Sequence, residues 1–271
     1  MPNKKNTAIF VLMSAPISLT FLGTGTSQGI PVIGSDHPVC KSSDPRDKRL
    51  RVSVHLQWQD YTLLIDCGPD FRQQILRSPI SYLNAVLMTH EHNDHMAGLD
   101  DVRPFNFRQK QDLPLYGCDR TLTAIKTRFP YIFVQQDKYP GAPGIQAHTI
   151  KAYESFSLGG KKIMPVEALH GTLPILGYRI DDFAYMTDVK TLDSRAKASL
   201  KNLDVLVLSA LRHESHPMHL TLNEALDLIS ELRPKQTYLT HISHLMGFHQ
   251  EVSETLPEHV FLAYDQLKIE I

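Results

Sequence analysis

Thr89-His90-Glu91-His92-Asn93-Asp94-His95 follows directly on the apolar residues 85–88, and this stretch decides the fold. The apolar residues read as a short buried strand that delivers His90 at its C-terminal end. Side chains two apart at a strand end point the same way, so His90 and His92 can share one metal ion. Asp94 and His95 lie beyond the turn and can face a second. Neutral imidazole and carboxylate suit zinc, manganese or iron at neutral pH. A polar turn with coincidental histidines is the plain alternative, and a lone histidine would be read that way. Three histidines and an aspartate in one turn are not.

One turn cannot complete two metal sites, so further donors are needed downstream. His170 follows the strand-like residues 166–169, Asp188 follows 184–186, and His241 follows 238–240. Taken singly, each is a polar group at a loop edge. Together they repeat one arrangement, a ligand-type residue where a short strand runs out.

The rest of the chain supplies a framework. Residues 17–22 alternate and break at Gly23-Thr24-Gly25, so a first strand feeds a glycine-bearing loop. Residues 26–51 carry Pro31, Gly34, Pro38 and Pro45 with little periodicity and read as a long ordered loop, a length usually functional or else disordered. Residues 52–58 and 61–65 form a hairpin, stopped by Asp66-Cys67-Gly68-Pro69, after which Asp70 is placed to cap a helix through Leu76. Helices are expected over 119–129 and 222–232, and strands over 162–169, 176–180, 183–186, 205–208, 237–240, 260–263 and 267–271. Residues 135–146, rich in proline and glycine, read as a surface excursion. The order predicts an α+β chain with two sheets packed between outer helices, and a single domain over 1–271.

Composition narrows the function classes. Apolar residues make up 42% and charged residues 21%, with a formal net charge of -1 and 14 histidines. Such a balance gives no strong attraction to nucleic acid or to an anionic membrane. Cys40, Cys67 and Cys118 are too few and too widely spaced for a disulfide framework, which favours a reducing, cytoplasmic setting. Lys4, Lys5 and the apolar residues 8–13 faintly suggest a signal peptide, but the run is short, and residues 1–15 read as an untidy leader.

With His170, Asp188 and His241 following in that order, the strand and its His90-x-His92-x-Asp94-His95 turn resemble the metallo-β-lactamase superfamily over nearly the whole chain. The resemblance implies a four-layer αββα sandwich with two metals at one edge of the sheets. It implies one ion on His90, His92 and His170, a second on Asp94, His95 and His241, and Asp188 between them. Asp66 matches the carboxylate that buttresses the family's site, and is expected to orient a ligand histidine.

Three features narrow this further. Gly23-Thr24-Gly25-Thr26-Ser27-Gln28-Gly29-Ile30-Pro31 and Thr240-His241-Ile242-Ser243-His244 are similar to the PhnP-type cyclic-phosphate phosphodiesterases, which act on 5-phosphoribosyl 1,2-cyclic phosphate. His219 in Met218-His219-Leu220-Thr221 stands where that branch has its proposed general acid, with His213 and His216 as nearby rivals. The branch also implies a structural zinc, for which this chain offers His37, Cys40 and His244. Its loop reads Ser35, His37 and Cys40 where the branch has three cysteines, so either the fourth ligand falls to water or Asp36 or the site has decayed. Cys67-Gly68-Pro69-Asp70-Phe71-Arg72-Gln73-Gln74 is similar to the pyrroloquinoline-quinone biosynthesis B proteins, whose histidine motif is generally degraded; here it is complete.

The function implied is a metal-dependent hydrolase acting on a small cyclic or diester phosphate. Two divalent ions, zinc or manganese, would hold an attacking hydroxide, with His219 as acid to the leaving alkoxide. A small phosphate ester is then the partner, and the branch implies a homodimer. Transfer-RNA 3′ processing in the manner of the ribonuclease Z relatives is the alternative enzyme, but the basic arm those enzymes use for RNA is missing. A non-catalytic metal-binding carrier is the third reading, which the full ligand set argues against.

Overall fold

Alternation of apolar and polar residues builds the first sheet. In the computed structural model, which describes residues 15–134 and 136–271, it comprises β1 (Ser18–Gly23), β2 (Ser53–Trp58), β3 (Tyr61–Ile65), β4 (Ala85–Leu87), β5 (Leu113–Gly117), β6 (Ile145–Thr149) and β14 (Lys268–Glu270). They hydrogen-bond in the order β14-β1-β2-β3-β4-β5-β6. The second sheet holds β7 (Phe156–Leu158), β8 (Lys161–His170), β9 (Leu173–Ile180), β10 (Phe183–Met186), β11 (Val205–Ser209), β12 (Gln236–Thr240) and β13 (Val260–Leu262). Its order is β13-β12-β11-β10-β9-β8-β7.

Register decides which side chains meet. Leu19 pairs with Leu56 and Leu56 with Leu63, so these leucines share one face. That face packs against Tyr178, Tyr185 and Val207 of the second sheet. Fully burying one such side chain stabilises the fold by roughly 1.5–3 kcal/mol. On its other face the first sheet carries Leu22, Leu64 and Val86 against α2 (Phe71–Leu76), α4 (Arg103–Gln109) and α5 (Asp119–Arg128). The second sheet packs Met186, Leu208 and Leu239 against α6 (Ser194–Ser199), α7 (Leu222–Leu232) and α8 (His249–Thr255). The result is the four-layer αββα sandwich of an α+β fold.

β3 to β6 run parallel, as do β10 to β13. Their C-terminal ends therefore collect along one edge. Two short helices, α1 (Pro38–Lys41) and α3 (Asn93–Met96), lie in the long loop and in the metal turn. The long loop is ordered by bridges from Gly25 to both Arg51 and Ile242, and from Ile30 to Arg49.

Several expectations shift. Asp70 does precede α2, but its carboxylate makes no cap; it accepts from the Arg51 backbone N (2.8 Å) and Nη1 (2.7 Å). A guanidinium competes better for the carboxylate than the exposed end of a short helix. The 135–146 excursion ends inside β6, which begins at Ile145, and Gln135 lies outside the described residues. The leader reading of 1–15 falls almost wholly outside them too. Among the described residues no helix is long and apolar enough to cross a membrane.

Candidate metal centre

Seven side chains from both sheets meet at this edge. His90 to His95 follow β4, His170 ends β8, Asp188 follows β10 and His241 follows β12. Asp66, Asp188 and His241 sit in left-handed backbone, with φ of 64°, 55° and 57°. This conformation turns each side chain sharply out of its strand direction, at a cost of about 1–2 kcal/mol per residue. Ser53 Oγ stabilises one such turn by donating to the carbonyls of Ile65 (3.1 Å) and Asp66 (2.8 Å).

The donors form interlocking groups: His90 with His92 and His170; His90 with His95 and Asp188; Asp94 with His95 and His241; His170 with Asp188 and His219. Within each group the ligand atoms all lie within 4.8 Å of one another. Asp188 Oδ2 stands 3.3 Å from His95 Nε2, and its Oδ1 3.1 Å from His241 Nε2. Asp94 Oδ2 is 3.3 Å from His95 Nε2 and 3.7 Å from His241 Nε2. His90 Nε2 and His92 Nδ1 are 3.0 Å apart. Around an ion with bonds of about 2.0–2.2 Å, neighbouring ligands are separated by about 3.0–3.5 Å. Buried His95 Nε2 and both ring nitrogens of His241 make no hydrogen bond despite these neighbours. Unpartnered buried nitrogens cost too much to keep for packing alone, so the donor set fits divalent metal.

Partners behind the donors fix which nitrogen faces inward. Asp66 accepts from the Thr89 backbone N (2.9 Å) and from Thr89 Oγ1 (2.8 Å). It also takes the Nδ1–H of His95 at 2.7 Å. Because Thr89 Oγ1 spends its hydrogen on Asp66, it is left to accept from His90 Nδ1 at 3.0 Å. His170 Nδ1 donates to the Met218 carbonyl at 2.8 Å. All three rings thus present Nε2 to the centre, a tautomer assigned from this network.

At His90 the charge agrees with that assignment. Burial pushes His90 well below the ordinary histidine range, and neighbouring His95 adds to this. Burial works against charge on Asp188 as well, but His241 and His95 outweigh it and hold the carboxyl well below its usual range. Asp94 behaves likewise, with burial overcome by His95 and His241. For His95 the burial effect is overcome by Asp188, Asp94 and Asp66, which raise it.

His219 reaches the centre, its Nδ1 3.7 Å from Asp188 Oδ1 and its ring 4.9 Å from that of His241. Burial pushes it down to about 3, with His241 contributing. The capping box of Thr221 and Glu224 fixes the helix that follows it. Of its rivals, His213 places Nε2 on the Met246 carbonyl (2.9 Å), while His216 lies alongside at 5.0 Å between rings.

Around the long loop, His37 and His244 are neighbours, with ring centroids 5.0 Å apart, and Cys40 is buried nearby. None of the three belongs to the close donor groups among the described residues. Cys40 Sγ accepts from the Val32 backbone N, and Asp36 pairs with Lys41 at 2.7 Å.

Some contributors carry no sequence signal. Glu91, between the ligands, pairs with Arg120 Nε at 2.9 Å and accepts from Thr121 at 3.2 Å, tying the turn to α5. The Met218 carbonyl is backbone, which no residue pattern announces. Tyr178 donates to the Met88 carbonyl at 2.6 Å, joining the two sheets directly behind the site.

The beta-lactamase superfamily domain matches residues 61–242. A crystal structure described as a new diphosphatase from the PhnP family superposes with a TM-score of 0.89 at 42% identity, covering 96% of this chain and 98% of that one. The chain belongs to the PhnP family of the metallo-β-lactamase superfamily. An octanoyltransferase of Porphyromonas gingivalis (strain ATCC BAA-308 / W83) is 39% identical over 249 residues, 91% of this chain and 50% of that protein. A ribonuclease Z of Picrophilus torridus is 29% identical over 118 residues, 42% of this chain and 33% of that protein. This PhnP-family chain thus spans half the length, or less, of these two curated relatives.

Proposed function

We propose that the chain is a dinuclear phosphodiesterase acting on a small cyclic or diester phosphate such as phosphoribosyl 1,2-cyclic phosphate. The observation that carries this reading is the shared carboxylate. Asp188 groups with His90 and with His170, and also stands 3.3 Å from His95 Nε2 and 3.1 Å from His241 Nε2, so it can serve two adjoining donor sets. His90, His92 and His170 would hold one ion, Asp94, His95 and His241 the other. Bound there, two divalent ions supply positive charge to a phosphoryl group and lower the pKa of water.

The chain's own residues do the rest. Asp66 and Thr89 keep the ligand rings oriented. His219, half-sheltered beside Asp188, is the proton donor to the leaving oxygen. Its ring is neutral in the resting site, and negative phosphate oxygens arriving beside it favour the imidazolium, the form that donates. A net charge of -1 gives no long-range attraction for RNA, which favours a small ester over a transfer RNA.

The test is a substrate panel on zinc- or manganese-loaded protein: phosphoribosyl 1,2-cyclic phosphate, a 2′,3′-cyclic nucleotide, a chromogenic diester, a nucleoside diphosphate and an octanoyl thioester. The diphosphate enters because the PhnP-family relative is described as a diphosphatase, the thioester because of the Porphyromonas protein. Turnover of the cyclic or diester phosphates, lost in His92→Ala, supports the reading. Turnover of the thioester or diphosphate alone overturns it, and turnover of none with two ions bound points to a carrier. Ion content also addresses the separate proposal of a structural zinc on His37, Cys40 and His244. Cys40→Ser would then lose one ion of three.

A further inference from the structure

The outer face of the first sheet changes character along its strands. Leu22, Leu64 and Val86 lie there under helices. Register places Thr20 opposite both His55 and Lys268, His55 opposite Leu64, and Gln57 opposite Thr62, so these side chains share that same face. Here no helix covers them. Residues 78–82 and Gln266 close over the polar patch and leave a cavity of about 350 Å³. It lies at the start of β3, whereas Asp66 follows that strand's far end, and none of its lining residues belongs to the metal centre.

The cavity holds hydrogen-bonding capacity that the protein does not use. His55 is 6% exposed, and its Nε2 is buried without a partner. Gln266 Nε2 is also buried and unpartnered. The Gln266 amide oxygen lies 3.2 Å from Ser78 Oγ, whose hydrogen also reaches the Gln74 carbonyl at 3.0 Å, and the amide NH₂ is the end left without a partner. The backbone of Gln266 is left-handed, with φ 70°, and is pinned by donation to the Phe21 carbonyl at 2.7 Å. Lys268 is exposed on the edge strand and makes no ion pair among the described residues. Thr62 Oγ1 is already engaged with the Tyr82 carbonyl and Asn84.

What remains open is rich in donors. An amide NH₂ only donates, an ammonium only donates, and a neutral imidazole offers one N–H. An acceptor-rich anion answers all three. Asp60 is the one acid in the lining, and it disfavours a doubly charged phosphate. We propose that this cavity is a second ligand site, binding a small carboxylate through His55, Gln266 and Lys268. Its volume suits an acid of a few carbons.

The test titrates glycolate into the full-length, metal-loaded protein and follows the histidine ring resonances by NMR. His55→Gln removes one set of signals and so assigns His55. The expected result is a saturable shift of the His55 signals, with affinity about tenfold weaker in Lys268→Met, the change expected from losing one charge-assisted hydrogen bond. Lys268 is exposed, so that variant keeps its fold. Glycolamide, which lacks the charge, should leave His55 unmoved. The proposal is overturned if His55 does not shift, if Lys268→Met binds equally well, or if only the metal-centre histidines move. Inorganic phosphate binding as tightly as glycolate would also overturn the carboxylate assignment.

Discussion

Asp66 and His95 are both fully buried and meet through a 2.7 Å hydrogen bond at the imidazole Nδ1. That contact turns His95 Nε2 toward Asp94 and Asp188. The same carboxylate, through Thr89, sets His90. One residue thus orients a ligand of each proposed ion. Asp66→Asn should weaken metal binding by about 10–100-fold with the fold retained. Thr89→Val, which leaves the Asp66–His95 bond in place, should affect only the ion held by His90. Isothermal titration of metal-free protein checks both; two equal losses in Thr89→Val would contradict the separate assignment.

Gly68 touches the metal turn directly. A Cβ there would sit 2.0 Å from the Asp94 carbonyl oxygen. The same contact is framed by hydrogen bonds from the Cys67 N to the His95 carbonyl (2.7 Å) and from the Gly98 N to the Cys67 carbonyl (2.9 Å). Gly68→Ala must therefore displace backbone. We expect it to lower stability by about 1–3 kcal/mol and to reduce ion content. Denaturant unfolding and metal analysis measure the two effects; an unchanged midpoint would show that the turn yields freely.

His219 separates proton donation from binding. His219→Ala should reduce kcat by about 10²–10⁴-fold for an ester with a poor leaving group. The loss should shrink for a nitrophenyl ester, whose leaving group needs no proton. Equal losses on both esters would instead indicate that His219 serves as a ligand, since it also lies within ligand distance of His170 and Asp188.

Acid sensitivity should carry a contribution from His55. Burial pushes this ring down to about 4, with Lys268 adding to the effect. Between pH 6.5 and 4 the unfolded chain takes up a proton that the folded chain refuses. The stabilisation is fully present above about 6.5 and is lost as pH falls through about 4, a contribution on the order of 3 kcal/mol. His55→Gln should flatten the stability profile over that window in denaturant titrations. A profile parallel to that of the parent would remove His55 as the cause.

The site was legible in the sequence to the extent that its chemistry is local. His90 to His95 are consecutive side chains of one functional type, and His170, Asp188 and His241 each mark a strand end. Their convergence was carried by family resemblance, because distances between strand ends depend on register. The strands β5 to β7 escaped the pattern because they are short, three to five residues each, and α3 because a ligand-rich turn has no apolar period. Asp70 misled because its nearest competitor, Arg51, lies across the sheet. The role of Thr89 depends on a hydroxyl that any surface threonine also has.

The seven donors divide between the halves of the sandwich. His90, His92, Asp94 and His95 leave the first sheet, and His170, Asp188 and His241 leave the second. Metal seated among them would therefore act as a cross-link between two layers that otherwise meet through apolar contact and a few bonds such as Tyr178 to Met88. Chelation then does more than silence the protein. It would remove a clasp and leave Asp94 and Asp188 with only His95 and His241 to offset their charge. Metal-free protein should accordingly open between its sheets, with faster amide exchange at the ends of β4, β10 and β12 than in β2.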